Sequence, residues 1–445
     1  MGIRRLSDEL EKYGYVFSLR RSALLYGTMF LCIFALGRFF ALHLTALLVL
    51  FAYSLILLPF FIRSILKNRY HQKRFSDLNI YMEQFLYSFQ KSGKILTTLE
   101  DMLLIFENGH MRKTIEQARD HILFTFNESR VEKNALAIIE EAYPYDGLKT
   151  MHRFAYSTEV LGGDYEDSIL LLLEARRMWA DRVYVLQQEQ KVKRREVFLS
   201  IAVSLLLCSM IFLISSRLEV DVAAHPIVQV ITTLVLMSDM WIFYIADKRL
   251  TVGFVESDHT NDAEMVERYR RMKRYSDKNP IERLARRAAK KTLSRELEKQ
   301  FPNWLMEVSL LLQTENVSVA ITRSYELAPE LLKPPLQEFL LEIAEKPDEM
   351  APYLHFLDEF ALPEVRSSMK MLYSLSSGTG GNARGQIADI IRRSQQLLDK
   401  SEKLKNEDSL AGMYALFLAP QLTGGCKLLV DMVLLLVLYL KESLW

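Results

Sequence analysis

The chain has 445 residues, half of them apolar and a quarter charged, with 56 Lys and Arg against 55 Asp and Glu. The near-neutral total hides an uneven distribution, with charge missing from a few long apolar stretches and dense between them. That pattern excludes a disordered chain, a disulfide-stapled secreted module and an ordinary soluble domain. Cys32, Cys208 and Cys426 all sit in or beside apolar runs. They lack the clustered Cys/His spacing of a zinc site and read as small hydrophobes.

Residues 1–21 are polar and offer no small-residue cleavage site, so the apolar run after them is expected to be an anchor rather than a removable signal. A helix needs about 20 mainly apolar residues to cross a hydrocarbon core. Residues 22–62 are twice that length, interrupted only by Gly37, Arg38 and His43, which predicts a transmembrane hairpin near 22–38 and 44–62. Residues 63–196 are polar, with Leu86, Phe89, Leu96, Leu99 and Leu103 at helical spacing. Residues 197–216 and 226–246 predict a second hairpin. After it come a basic juxtamembrane linker helix, 247–299, and a second polar helical region, 300–409. The last apolar region, in 410–445, is broken by Pro420, Gly424, Gly425 and Lys427 and is expected to form a third hairpin, with a re-entrant pair or one kinked helix as alternatives.

Lys and Arg near the span ends set the orientation. They flank the first hairpin at Arg20, Arg21, Arg63 and Lys67, and the second at Arg194, Arg195, Lys248 and Arg249. The N-terminus and both polar regions are therefore expected in the cytoplasm, and the chain in a cell (inner or plasma) membrane. The expected fold is all-α, with about six transmembrane helices and two tandem cytoplasmic helical bundles.

Internal repetition is the most informative feature. Residues 151–177 (MHRFAYSTEVLGGDYEDSILLLLEARR) line up without a gap on residues from 369 (MKMLYSLSSGTGGNARGQIADIIRR), at an offset of 218. Met151 falls on Met369, Gly162 and Gly163 on Gly380 and Gly381, and Ile169 on Ile387. Upstream, Tyr81 to Met102 resembles Trp304 to Tyr325 at an offset near 223. A hairpin, a basic linker and a helical domain thus occur twice.

Two stretches carry a family resemblance. A hydrophobic helix, Ser92-Gly93 and a helix of LTTLEDML type around Tyr81 to Met102 resemble the first half of the type II secretion F domain. Glu159-Val-Leu-Gly162-Gly163, followed by an amphipathic helix, a basic stretch and a span, resembles its second half. The resemblance covers 75–216 well and 300–440 weakly. In the second copy Ser377 stands where Glu159 stands, and Asn316 where Gly93 stands. It implies an oligomeric, non-enzymatic inner-membrane platform of a type II secretion or a type IV or tight-adherence pilus apparatus. Its partners would be a hexameric secretion ATPase, whose work it passes on, and the prepilin or pseudopilin-like subunits being assembled.

The residues themselves offer little chemistry. There is no GxxxxGK[ST] loop, and the eight histidines show no metal spacing. No cofactor, metal or catalytic residue is expected. Gly378 to Gly385 reads as an inter-helix turn rather than an anion cradle. The basic run with Arg268, Arg270, Arg271, Lys273, Arg274, Arg286 and Arg287 reads either as a surface for anionic membrane lipid or as a docking face for acidic patches on the ATPase. Nucleic acid is not expected, because aromatic interleaving is poor. Asp239 and Asp431 lie inside apolar runs, each followed by Met. They read as interhelical glue, with Lys427 a partner for Asp431, or as groups that engage a pilin. A polytopic transporter or channel using these carboxylates is the alternative function.

Overall fold

The computed structural model describes residues 19–125, 130–162, 166–218, 222–251, 253–254, 262–275, 280–312, 315–378 and 383–443. Among them the only regular structure is helix. The first apolar region forms α1, Leu19–Phe39, and the start of α2, Leu44–Ser92. At 1.5 Å per residue α2 is roughly 74 Å long, so one uninterrupted shaft carries both apolar residues 44–62 and a polar half. Helices α3 (Ile95–Ile105), α4 (His110–Phe124), α5 (Val131–Ala142) and α6 (Asp146–Leu161) follow. A second shaft, α7 (Glu166–Leu218), then returns to the apolar layer, and α8 (Pro226–Leu250) pairs with it. The expected boundaries at 62/63 and 196/197 thus fall inside continuous helices.

Helix α9 (Asp262–Arg274) precedes α10 (Pro280–Leu311). The expected basic linker is therefore two helices, and α10 runs straight through residue 300 into the second bundle, because Leu293, Leu297, Phe301 and Trp304 form one continuous buried stripe. Next come α11 (Val317–Leu327), α12 (Lys333–Glu345), α13 (Ala351–His355), α14 (Pro363–Ser376) and α15 (Ala383–Leu410). The chain finishes in α16, Met413–Ser443. Gly412, with φ of +82°, makes the joint between α15 and α16.

The last apolar region departs from the expected hairpin. Helix α16 is a single helix of 31 residues, roughly 46 Å at 1.5 Å per residue. The residues that suggested a turn are absorbed by packing. Pro420 sits inside the helix, and Ser200 of α7 donates a hydrogen bond to the Phe417 carbonyl in the preceding turn. Gly424 lies against the Ser204 backbone, where a Cβ would come within 3.0 Å of Cα. Lys427 pairs with Asp431 one turn on.

Two separate cores hold the polar regions together. They repeat each other position by position. At an offset of 223, Tyr81, Met82, Phe85 and Phe89 of α2 correspond to Trp304, Leu305, Val308 and Leu312, and all are buried. At 222, Ile95, Leu99 and Met102 of α3 correspond to Val317, Ile321 and Ser324 in α11. In α6 and α14 the match is at 217, pairing Leu148, Met151, His152 and Ala155 with Val365, Ser368, Met369 and Leu372. From α7 to α15 it is 218, pairing Leu172 with Ile390 and Trp179 with Leu397. The ungapped alignment therefore needs one extra residue in the second inter-helix turn, and Met369 takes the place of His152 rather than of Met151.

The apolar helices are arranged inside out relative to these bundles. Leu31, Leu48, Ile56, Leu199, Leu206, Leu234, Val433 and Leu436 point outward, while Ser54, Ser200, Ser204, Thr232, Asp239, Lys427 and Asp431 are buried. Among the described residues α2, α8 and the α15–α16 stretch are each long and apolar enough to cross a membrane, and α1 carries a shorter apolar segment, Ala23–Phe39. The chain is a membrane protein on this evidence. Partly buried polar contacts pin both ends of the apolar layer. At one, Asp247 of α8 takes Arg194 Nε at 2.9 Å and the Ser64 hydroxyl. At the other, Gln229 Oε1 accepts from the His43 amide at 2.9 Å while its Nε2 donates to the Ala41 and Ala223 carbonyls at 3.0 and 2.7 Å.

Candidate functional site

Three helices build a charged cluster inside the apolar layer. Helix α7 supplies Ser200, Ser204 and Cys208 on one face at i, i+4 and i+8, which is why one stripe of α7 meets α16 with small and polar side chains. Helix α8 supplies Asp239, and α16 supplies Thr423, Gly424, Lys427 and Asp431. The cluster is closed to solvent: Asp239 is 3% exposed, Lys427 1% and Asp431 0%. Lys427 Nζ donates to Asp431 Oδ2 within α16. Cys208 lies within electrostatic reach of Lys427, Asp239 and Asp431, so the four groups share one environment. Ser204 and Thr423 lie beside the Asp239 carboxyl, but no hydrogen-bond geometry is met. Both Asp239 oxygens, Ser204 Oγ and Asp431 Oδ1 are buried without a partner.

Asp239 and Asp431, 192 positions apart in sequence, are thus brought together, and Lys427 stands with Asp431 as expected. Ser204, Thr423 and Cys208 were missed. The available signal was Ser200 and Ser204 spaced one turn apart in an otherwise apolar span.

The basic run is brought together only in part. Arg268 and Arg271 of α9 pair with Glu264 and Glu267 one turn earlier, at 3.0 and 3.1 Å. Lys273 lies 3.3 Å from both Glu338 and Glu359 and 5.6 Å from the centroid of the Tyr269 ring. Burial pulls the Lys273 ammonium toward the neutral form, yet Tyr269, Glu359 and Glu338 outweigh it and hold its pKa above the ordinary lysine value. Burial likewise pushes the Tyr269 phenol up to about 12. Lys273 therefore clips α9 onto the second bundle while its side chain stays exposed. Arg270, Arg274 and Arg287 are exposed, and Arg286 is half-buried. Between α9 and α10 lies a cleft of about 320 Å³ lined by Glu264, Glu267, Arg268 and Arg271 with Ala285, Ala288 and Thr292. Its walls are mixed in charge because the glutamates alternate with the arginines on one helical face.

Of the repeat-turn glycines, Gly162 ends α6 with φ of +71°. Gly163, Gly380 and Gly381 lie outside the described residues. The left-handed glycine that ends the equivalent α14 is Gly378, with φ of +64°, which the sequence alignment passed over.

A buried chain of polar groups crosses the first bundle. Tyr81 Oη and His152 Nε2 are 3.0 Å apart, and His152 Nδ1 is 3.0 Å from Glu140 Oε1. Burial lowers the His152 pKa, opposed by Glu140, and raises that of Tyr81 well above its usual value. With Tyr81 and His152 in the closed core, the set reads as a structural bond between α2, α5 and α6. No group of three or more His, Cys, Asp or Glu able to hold a metal occurs among the described residues.

No family model matches the chain, and comparisons with curated proteins and with solved structures find no match.

Proposed function

We propose that this chain is a membrane-embedded assembly platform of a type II secretion or pilus-like apparatus. Two copies of one helical bundle, each carried on long helices that lead toward the apolar layer, are the observation that carries the reading. Stiff shafts transmit displacement from a bundle to a membrane helix without a catalytic centre. The likeness of Tyr81 to Met102 and of Glu159 to Gly163 to the F domain points the same way. In this reading both bundles are cytoplasmic, and a hexameric ATPase works on them to draw pilin-like subunits from the bilayer. Counting α1, α2, α7, α8 and α16 as crossings gives five rather than six. The first residues then lie in the cytoplasm and Trp445 outside.

The test is a mild-detergent pull-down of the full-length chain from its native membrane, with captured proteins identified by mass spectrometry. Recovery of a secretion-type ATPase together with a prepilin-like protein is the expected result. Loss of both under conditions that keep the chain folded overturns the reading. A tag at Trp445 that reacts only from the outer face supports five crossings, whereas one reached only from the cytoplasm rules them out.

A further inference from the structure

The charged cluster contains two carboxylates and one ammonium. Lys427 and Asp431, one helical turn apart on α16 and fully buried, neutralise each other's charge through Asp431 Oδ2. Asp239 is then left as the acid without a counter-charge. The helices packed around Asp239 bear this out. Helix α7 offers Ser204 and Cys208, and α16 offers Thr423 with the Lys427–Asp431 pair. Helix α2 packs on α8 and brings only Tyr53 as a titratable group between Leu44 and Ile62. Helix α15 meets α8 near Leu250, where Leu410 packs against it, and its Asp408 is held by Arg295 and Lys299.

An unpaired carboxylate inside hydrocarbon is costly, and the cheapest escape for a closed site is to take up a small cation. The pocket is too tight for a side chain from another molecule, since Gly424 and Ser204 already approach to where a single added methyl would clash. It also lacks the cage of oxygen ligands that a metal cation demands: Thr423 Oγ1 is turned to the Pro420 carbonyl at 2.9 Å, leaving Asp239 and Ser204 as the unpartnered groups beside each other. A proton needs only one carboxyl oxygen.

We infer that Asp239 is a proton-binding site: in the folded protein at neutral pH it is a neutral carboxylic acid, buried among α7, α8 and α16 beside the Lys427–Asp431 ion pair. Loss of the proton leaves a bare carboxylate buried between α7, α8 and α16, which links proton occupancy to the seating of α16 on α7 and α8. The inference stands on the cluster alone and is independent of the assembly reading.

Infrared spectroscopy of the full-length protein in lipid nanodiscs, with Asp239→Asn and Asp431→Asn variants, tests it. The expected spectrum at neutral pH contains the carbonyl stretch of a protonated carboxyl, lost in Asp239→Asn and kept in Asp431→Asn. A spectrum that Asp239→Asn leaves unchanged, or a band lost in Asp431→Asn instead, overturns the inference. Thermal unfolding gives the second readout. Asparagine is a neutral near-isostere of the protonated acid, so Asp239→Asn is expected to keep the wild-type midpoint, whereas Asp431→Asn strands Lys427 and lowers it. An Asp239→Asn protein that unfolds as early as Asp431→Asn, or fails to fold, shows that Asp239 is ionised and paired, and sinks the proposal.

Discussion

The two bundles share a helix order and a pattern of buried positions, yet they hold themselves together differently. In the first, polar groups cross between helices. Tyr81, His152 and Glu140 join α2, α6 and α5, and Glu159 of α6 reaches over to accept from the Ile95 amide at the start of α3, at 3.0 Å. In the second bundle Met369 replaces His152, and Trp304 replaces Tyr81 and donates to Ser324 at 2.9 Å. Asn316 caps α11 from its own sequence, accepting from the Val319 amide at 3.0 Å. Helix α13 has five residues where α5 has twelve, so the element that supplies Glu140 is nearly gone. The sequence substitutions at Glu159 and Gly93 therefore mark exchange of a long-range cap for a local one.

Attachment differs as well. The first bundle is continuous with α2 and α7, whereas the second is joined to α16 through the left-handed Gly412. A displacement of the first bundle passes directly along two shafts. One of the second must pass a joint.

The strongest test of this contrast is Trp304→Ala. It removes the largest side chain fully buried in the second core and leaves Ser324 Oγ without its indole donor. A loss of about 3–5 kcal/mol is expected, seen by hydrogen exchange as opening of α10 to α15 while the first bundle stays protected. Equal loss of protection in both would show one cooperative unit.

Tyr81→Phe is the counterpart in the first bundle. It keeps the ring and removes only the hydroxyl from His152, for an expected cost of about 1–3 kcal/mol. Denaturant unfolding of the reconstituted protein measures it, and no change would show that the buried polar chain contributes nothing.

The caps separate the bundles more finely. Asn316→Ala is expected to cost about 1 kcal/mol and to loosen α11 alone. Glu159→Gln keeps an acceptor for the Ile95 amide but removes the charge that Lys94 Nζ faces at 3.7 Å. It is expected to cost under about 1 kcal/mol, with raised exchange in α3 and α6 together. Exchange confined to α3 would refute the tie between the two helices.

Acidification gives a contrast that no substitution is needed to see. Burial lowers the pKa of His152, and burial with Lys67 and Arg74 lowers that of His71 to about 4, from an ordinary 6.5. Below pH 6.5 the unfolded chain binds protons that the folded first bundle refuses. Its stability should therefore fall as the pH drops from 6.5 toward 4. The only histidine of the second bundle, His355, is exposed, so no matching loss is expected there. Protection factors followed against pH decide it, and parallel profiles would contradict the assignment.

Much of this was legible in the chain. The apolar runs of 22–62 and 226–246 show as helices because hydrophobicity at helical length has one common outcome. The duplication shows because buried positions such as Leu99 and Ile321 keep their apolar character. The α16 region misled for a local reason: Pro420, Gly424 and Gly425 are turn residues in water. Between helices in an apolar layer, a neighbouring serine hydroxyl and close packing against Ser204 let them remain in one helix. In the basic run, glutamates placed four residues earlier pair with Arg268 and Arg271, a pairing that a count of positive charges hides.

The helical class, the apolar faces and the repeat were determined by the sequence alone, because each rests on periodicity within a segment or between two of them. Only the tertiary structure decided that Asp239 and the Lys427–Asp431 pair gather around Cys208, that Lys273 clips α9 to the bundle and that Glu159 caps a helix 64 residues away. Such contacts depend on how separate helices approach and rotate against one another, and that geometry is set by the whole packed core.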